Sequence, residues 1–148
     1  MARIRVTVAI DASPRRIWGA LRDISTHTRW MEDAVAIRFV TKRRRGVGTA
    51  FECDTKVGPF RLVDRMEVTE WRPRRSMGVR HVGLVRGEGR FTITPRRARR
   101  GAEFRWEEHL ALPRWMGGRL GGVVISVVLR QIWRRNLRNL KHLVEHPT

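Results

Sequence analysis

The sequence contains a single cysteine, Cys53, and no long hydrophobic run. One cysteine excludes an intramolecular disulfide and suits a reducing compartment, so we expect a cytoplasmic protein. The longest apolar stretch, residues 120–129, is much shorter than the roughly 20 residues that a membrane-spanning helix needs. The first residues alternate like a strand and lack the apolar centre of a signal peptide. These absences argue against a disulfide-rich secreted domain and against an integral membrane protein.

Acidic residues and lysines are also scarce. There are 14 Asp and Glu residues against 32 Lys and Arg residues, only three of which are lysines, and the net charge is +18. Such a charge normally points to nucleic acid or an anionic membrane, but arginine in place of lysine also typifies proteins from GC-rich genomes. Charge alone therefore assigns no partner. The chain is 41% hydrophobic with six tryptophans, which is enough for one core, so we predict a single domain over residues 1–148.

The predicted elements are a strand, two short helices, six strands and a long helix. Strict alternation predicts the first strand over residues 3–10. Ser13 is placed as a helix N-cap with Pro14 at the first helical position, which predicts a short helix ending near Asp23. A second helical turn is predicted over 25–30. Glycine and proline turns separate the later strands. These are predicted at 34–40, 49–57, 60–71, 76–84, 87–95 and 102–112, before a long helix over 115–144.

This order and a set of short motifs carry a family resemblance. The motifs are Ile10-x-Ala12-Ser13-Pro14-x-x-Ile17-Trp18-x-x-Leu21-x-Asp23, Trp30, Gly46-x-Gly48 and Glu70-Trp71-x-Pro73. Through them, residues 3–145 resemble the polyketide cyclase/dehydrase-like branch of the START-like (SRPBCC) superfamily. The resemblance implies an α+β helix-grip fold, in which a curved antiparallel sheet of about seven strands wraps around a long C-terminal helix. It also implies a cavity between sheet and helix for a lipid, polyketide, hormone or aromatic compound; a minority of relatives are enzymes.

Alternation also assigns the strand faces, and it turns three ionisable residues towards the helix. Asp64, His81 and Glu108 fall on the apolar faces of their strands, where an unpaired charge is costly. They are the candidates for contact with a ligand and, in an enzyme, for proton transfer. Residues 123–129 are apolar on all sides and are predicted to roof the cavity, with a dimer contact or a membrane-touching surface as the rival explanation. The predicted ligand-binding set is Trp30, Phe51, Cys53, Leu62, Asp64, Met66, Val79, His81, Phe91, Trp106, Glu108, Val124 and Val128.

Turn positions predict how the ionisable residues are arranged across the sheet. Asp64, Gly83, Gly89 and Glu108 are expected in one row over four strands. Strands lie about 4.8 Å apart, so the two carboxyl groups would flank a glycine-floored gap roughly 14 Å wide. The neighbours expected for His81, one inward position along, are Met66 and Phe91.

Three arginine-rich runs occupy alternate turns of the predicted meander and therefore gather at one end of the sheet. They are residues 42–45, 72–75 and 96–100. Trp71 is the only aromatic residue that interleaves with them, so a base-stacking surface is lacking. Nucleic acid is therefore disfavoured as a partner, while peripheral contact with an anionic membrane stays an alternative. The resemblance places the cavity mouth at the opposite end. The predicted mouth residues are Pro59, Leu84, Pro113, Trp115 and Met116.

Three hypotheses of function follow. The leading one is binding or transport of a small hydrophobic molecule, such as a lipid, polyketide or aromatic metabolite. The second is an enzyme of the cyclase, aromatase or dehydratase type, in which Asp64, His81 or Glu108 moves protons. The third is binding of an anionic membrane or nucleic acid through the arginine-rich turns. We expect no metal and no cofactor, because the histidines lack ligand spacing and the glycines form no phosphate loop. Cys53 is expected to be a buried hydrophobe rather than a nucleophile, and monomer or homodimer stays open.

Overall fold

Seven strands form one antiparallel sheet in the computed structural model, which describes residues 2–97, 100–116 and 118–147. For residues 116 and 118–120 it describes the backbone alone. The strand positions agree with the predicted ones to within two residues at each end. β1 is Ala2–Ile10, β2 Ala34–Phe39, β3 Ala50–Val57, β4 Phe60–Arg72, β5 Ser76–Val82, β6 Arg86–Pro95 and β7 Ala102–Ala111.

Two α-helices and two short 3-10 helices complete the fold. The helix α1, Pro14–Leu21, begins where the Ser13 hydroxyl accepts a hydrogen bond from the Arg16 N–H at 3.2 Å. A 3-10 helix, Ile24–Arg29, leads into β2. A second one, Arg114–Met116, precedes the long helix α2, Gly118–Glu145. No helix among the described residues is long and apolar enough to cross a membrane.

The strands are ordered β1-β7-β6-β5-β4-β3-β2, and every neighbouring pair is antiparallel. Thus β2 to β7 form a meander, and β1 closes it by pairing with β7. The helix α2 packs on the inner face of this sheet through one buried stripe whose members recur every three or four residues. The prediction of a helix-grip fold is confirmed. The stripe consists of Ile125, Leu129, Trp133, Leu137, Leu140 and Val144.

The opposite face of the first turns of α2 is exposed, which corrects the prediction that residues 123–129 are buried on all sides. Val124 and Val128 are 62% and 36% exposed, and Val123 and Val127 are exposed as well. The buried members of the segment are Ile125 and Leu129. The physical reason is that a helix packed on one sheet buries one stripe only, and the helical period fixes which residues belong to it.

A bulge in β4 determines the face on which Trp71 lies. The pairing with β5 shifts by one residue between Val68 and Glu70, so Trp71 lies opposite the buried Met77. Its ring centroid is 5.1 Å from that of Trp18 on α1, in an edge-to-face arrangement. Trp71 therefore packs against the core instead of standing among the arginines of the following turn.

Candidate ligand-binding site

A cavity of about 120 Å³ lies between the inner face of the sheet and α2. Its helix wall is made by Ile125, Leu129 and Trp133, and most of its strand wall is apolar. From the predicted set, the residues that line it are Phe51, Cys53, Leu62, Asp64, Met66, Val79, His81, Phe91, Trp106 and Glu108. A role for them in binding a ligand remains a prediction.

Three members of the predicted set do not line the cavity. Val124 and Val128 lie on the exposed side of α2 and are replaced in the wall by Ile125 and Leu129. Trp30 is 1% exposed and lies behind the wall, with its ring centroid 5.8 Å from that of Phe91. It therefore supports wall residues without bordering the space.

The three ionisable residues form one connected cluster on this wall. His81 on β5 lies between Asp64 on β4 and Glu108 on β7. The imidazole Nδ1 is 2.9 Å from Asp64 Oδ2 and 3.0 Å from Oδ1, and Nε2 is 3.2 Å from Glu108 Oε1. His81 is 5% exposed, Asp64 9% and Glu108 6%. Each ring nitrogen thus has a carboxylate partner in a desolvated setting.

Gly89 makes the contact between Glu108 and His81 possible. It lies on β6, between the two strands that carry these residues, and it pairs directly with Glu108. A Cβ atom at this position would lie 2.9 Å from Glu108 Cδ and would overlap Oε1. Because the glycine has no side chain, the glutamate can extend across β6 towards β5. The room at this glycine is used by a carboxylate of the protein.

The predicted row of four residues is wrong. Gly89 lies opposite Val79 and not opposite Gly83. The two carboxyl groups consequently do not flank an open gap, because His81 bridges them. The register between β5 and β6 differs from the predicted one, although Asp64, His81 and Glu108 lie on the predicted inner face.

The neighbours of His81 also differ from the prediction in one case. His81 lies opposite Met66 on β4 and opposite Gly87 on β6. Phe91 lies two inward positions away, opposite Met77. His109, in contrast, is exposed on the outer face of β7.

The cluster holds a positive charge on the imidazole. Burial by itself lowers the pKa of His81, but the charges and hydrogen bonds of Glu108 and Asp64 outweigh it and raise the pKa from 6.5 to about 10. At neutral pH an imidazolium therefore lies between two carboxylates. Since both ring N–H groups are donated, His81 holds the carboxylates in place and has no free nitrogen with which to accept a proton.

A third buried carboxyl group, that of Asp33, borders the cavity and was missed by sequence reasoning. Asp33 accepts hydrogen bonds from Trp133 Nε1 at 3.0 Å and from Asn136 Nδ2 at 2.7 Å. The Asn136 side-chain oxygen in turn accepts from the Glu32 N–H at 2.9 Å. Burial raises the pKa of Asp33. A signal did exist in the sequence, because Asn136 interrupts the apolar stripe of α2 and is fully buried.

His27 is a further polar wall residue that was absent from the predicted set. Its Nε2 is 2.8 Å from the carbonyl oxygen of Leu21, to which the ring donates. Burial lowers its pKa from 6.5 to about 4, so the ring is neutral at pH 7. Its ring centroid is 6.0 Å from that of Phe91. His27 is therefore a neutral part of the aromatic wall.

Aromatic rings form one side of the cavity. The indoles of Trp106 and Trp133 are stacked, with centroids 4.3 Å apart and planes 12° from parallel. Phe91 meets Trp106 edge to face at 5.3 Å. This wall presents ring faces and edges, which are suited to flat apolar groups.

Cys53 lines the cavity from β3 and is 6% exposed. Burial raises the pKa of its thiol from 9.0 to about 12. A thiolate is the nucleophilic form of cysteine, so this side chain contributes apolar surface.

The predicted mouth residues whose side chains are described do not line the cavity. Pro59 and Leu84 are exposed in the β3–β4 and β5–β6 turns, and Pro113 is half-buried. The Trp115 ring is 5.6 Å from that of Phe60 and joins the second 3-10 helix to β4. The side chain of Met116 lies outside the described residues. The neighbours that do line the cavity at this end are Val57, Val85 and Leu112. A mouth here remains a prediction.

The arginine-rich turns connect β2–β3, β4–β5 and β6–β7 and lie at the other end of the sheet. Arg74 adopts a left-handed backbone conformation with φ of 67° in the tight β4–β5 turn. Arg44 lies 4.5 Å from the centre of the Phe39 ring. Residues 98 and 99 of the third run lie outside the described residues. In the part of the chain that is described, no group of three His, Cys, Asp or Glu side chains is arranged to hold a metal ion.

Solved structures share this architecture over nearly the whole chain. A protein of Thermus thermophilus is 16% identical, with a TM-score of 0.79 and 96% of each chain covered. A START superfamily protein from Mycobacterium smegmatis is 15% identical, with a TM-score of 0.77 and 100% of each chain covered. The Aha1 dimer from Colwellia psychrerythraea is 17% identical, with a TM-score of 0.69 and 99% of this chain and 98% of that chain covered. At these identities the likeness shows the fold alone.

The sequence itself assigns the family. None of the curated proteins matches the chain. A family model described as "Polyketide cyclase / dehydrase and lipid transport" matches residues 1–145. With this match over nearly the whole chain, the chain belongs to the polyketide cyclase/dehydrase and lipid transport family.

Proposed function

We propose that the protein binds a small hydrophobic molecule containing a ring in the cavity between the sheet and α2. The observation that carries this proposal is the cavity of about 120 Å³, lined mostly by apolar and aromatic side chains. An engineered apolar cavity of about 150 Å³ takes up benzene, so the space here is of the order that one aromatic ring needs. Ligand sites typically combine such a lining with a few polar groups.

The polar lining supports binding better than proton transfer. A general base needs a free acceptor within reach of a substrate proton. Both nitrogens of His81 already face carboxylates at 2.9 and 3.2 Å, and both oxygens of Asp33 accept hydrogen bonds. Glu108 is the group that is left for an enzyme of the cyclase or dehydratase type. Such an enzyme would lose turnover on Glu108→Gln, whereas a binding protein has no turnover to lose.

Adjacent residues of β4 supply a matched test. Leu62 lines the cavity, while Val63 is on the other face of the strand and 43% exposed. We expect benzene and toluene to give saturation-transfer NMR signals with the wild-type protein. Leu62→Phe should abolish binding of toluene by filling the cavity, and Val63→Phe should leave it unchanged. Absence of binding to the wild type, or equal binding by both variants, would contradict the proposal.

A further inference from the structure

The wall of the cavity does not share the excess of cationic groups that marks the protein as a whole. The net charge of the chain is +18, yet the described residues of the wall include three carboxyl groups, those of Asp33, Asp64 and Glu108. Arg90 also borders the cavity, but its side chain is 59% exposed and its Nε lies 3.1 Å from Glu70 Oε2. Its charge is therefore directed away from the enclosed space.

The hydrogen bonds within the wall leave one carboxylate oxygen available. Asp33 uses one oxygen for Trp133 and the other for Asn136. Asp64 places both oxygens within 3.0 Å of the same nitrogen of His81. Glu108 uses Oε1 alone, and its Oε2 has no hydrogen-bond partner among the described residues. Glu108 lines the cavity and is 6% exposed.

We propose, building on the proposed function, that the ligand is a ring compound with a protonated amine, which donates to Glu108 Oε2. The cluster carries one positive and two negative charges, so one further cation from the ligand neutralises it. The negative charge of the Glu108 carboxylate would compensate the ammonium group of the ligand. This attraction offsets the free-energy cost of removing the ammonium group from water. A ligand carboxylate would instead meet like charge in a setting of low dielectric.

Neutral ligands should bind with affinities between those of the two charged classes. A hydroxyl group can donate to Oε2 without bringing a charge, and a plain hydrocarbon can fill the space without donating. A hydrogen bond to a charged group contributes roughly a tenfold to hundredfold gain in affinity. The expected order of affinity is therefore benzylamine, benzyl alcohol, toluene and, weakest, benzoate.

Titration calorimetry of these four probes at pH 7 tests the order on the full chain. Glu108→Gln should reduce the preference for benzylamine over toluene by at least tenfold. Glu107→Gln is the matched control, because Glu107 is on the outer face of the same strand, with Arg105 at 3.6 Å. It should leave the preference unchanged.

The outcomes separate this inference from the proposed function. If none of the probes binds the wild type, the proposed function fails. If toluene binds but benzylamine binds no more tightly, or benzoate binds as well as benzylamine, the inference alone is overturned. Retention of the full amine preference by Glu108→Gln also overturns it. Should Glu108→Gln fail to fold, the order of the four probes on the wild type still decides the question.

Discussion

The bridging imidazolium makes a specific prediction about the pH dependence of stability. The pKa of His81 rises from 6.5 to about 10 on folding. Below pH 6.5 the folded and unfolded chains both carry the proton, so the stabilisation by the two carboxylates is fully present. Above that pH the unfolded chain releases the proton and the folded chain keeps it. Stability is therefore lost progressively as pH rises from about 6.5 through 10.

The rise in the pKa of His81 determines how much stability is lost between pH 6.5 and pH 10. A change of the pKa from 6.5 to about 10 corresponds to on the order of 5 kcal/mol. That is a large share of the roughly 5–15 kcal/mol by which domains are stable. His81→Gln removes the proton-binding group, so its free energy of unfolding lacks this contribution. The difference in stability between wild type and His81→Gln should therefore be smaller at pH 10 than at pH 6 by on the order of 5 kcal/mol.

Urea denaturation followed by tryptophan fluorescence at pH 6, 8 and 10 measures this difference. The thiol of Cys53 also titrates above pH 9, but it does so in both proteins and cancels. His109→Gln is the control, since that histidine is exposed on the outer face. A difference between wild type and His81→Gln that stays constant from pH 6 to pH 10 would refute the imidazolium bridge.

Three further perturbations test other parts of the site. Gly89→Ala should destabilise the fold by about 1–3 kcal/mol in urea denaturation, because its Cβ would displace the Glu108 carboxylate. Asn136→Ala should cost about 1–3 kcal/mol in the same assay, because the buried Asp33 loses a donor. Cys53 should react with a disulfide reagent at pH 8 far more slowly in the native protein than in urea, because it is buried and its pKa is raised.

Controls for these tests lie nearby in the chain. A Cβ atom at Gly122 of α2 would meet nothing within 4 Å, so Gly122→Ala should be neutral or stabilising by up to about 1 kcal/mol. Asn139 donates a single bond of 3.2 Å to the Trp30 carbonyl, so Asn139→Ala should cost less than Asn136→Ala. Equal losses of stability in Gly89→Ala and Gly122→Ala, or in Asn136→Ala and Asn139→Ala, would contradict these predictions. Equal labelling of native and unfolded Cys53 would contradict the third.

The strands and their inner faces were predictable because they depend on local pattern. Alternation along β4, β5 and β7 placed Asp64, His81 and Glu108 on the inner face, and the N-cap at Ser13 fixed the start of α1. Each of these inferences uses residues within one element. No long-range information is needed for them.

The register between β5 and β6 was not predictable in the same way. Displacing Gly89 from its partner Val79 by an even number of residues keeps every side chain on its face. Alternation therefore cannot detect such an error, and the turn over residues 83–85 admits more than one hairpin. The contact of His81 with Glu108 depended on this register, and so the cluster was predicted as separate groups.

Two other features depend on partners distant in the sequence. Asp33 is bound by Asn136, about 100 residues later in the chain, and neither residue alone indicates the pair. In α2, valines on both sides of Ile125 are equally apolar, so composition could not select the buried stripe. Extending the period back from Trp133 through Leu129 would have selected Ile125.

The close contact between Gly89 and Glu108 restricts which residues relatives of this protein can have at these two positions. A side chain at 89 and a long acidic side chain at 108 compete for the same volume, because the added Cβ would overlap the Glu108 carboxylate. The two positions should therefore change together: relatives with glycine at 89 can keep the glutamate, while those with a larger residue at 89 should carry a shorter or apolar one at 108. Such covariation would divide the family into members with and without the bridged histidine, without any ligand being known.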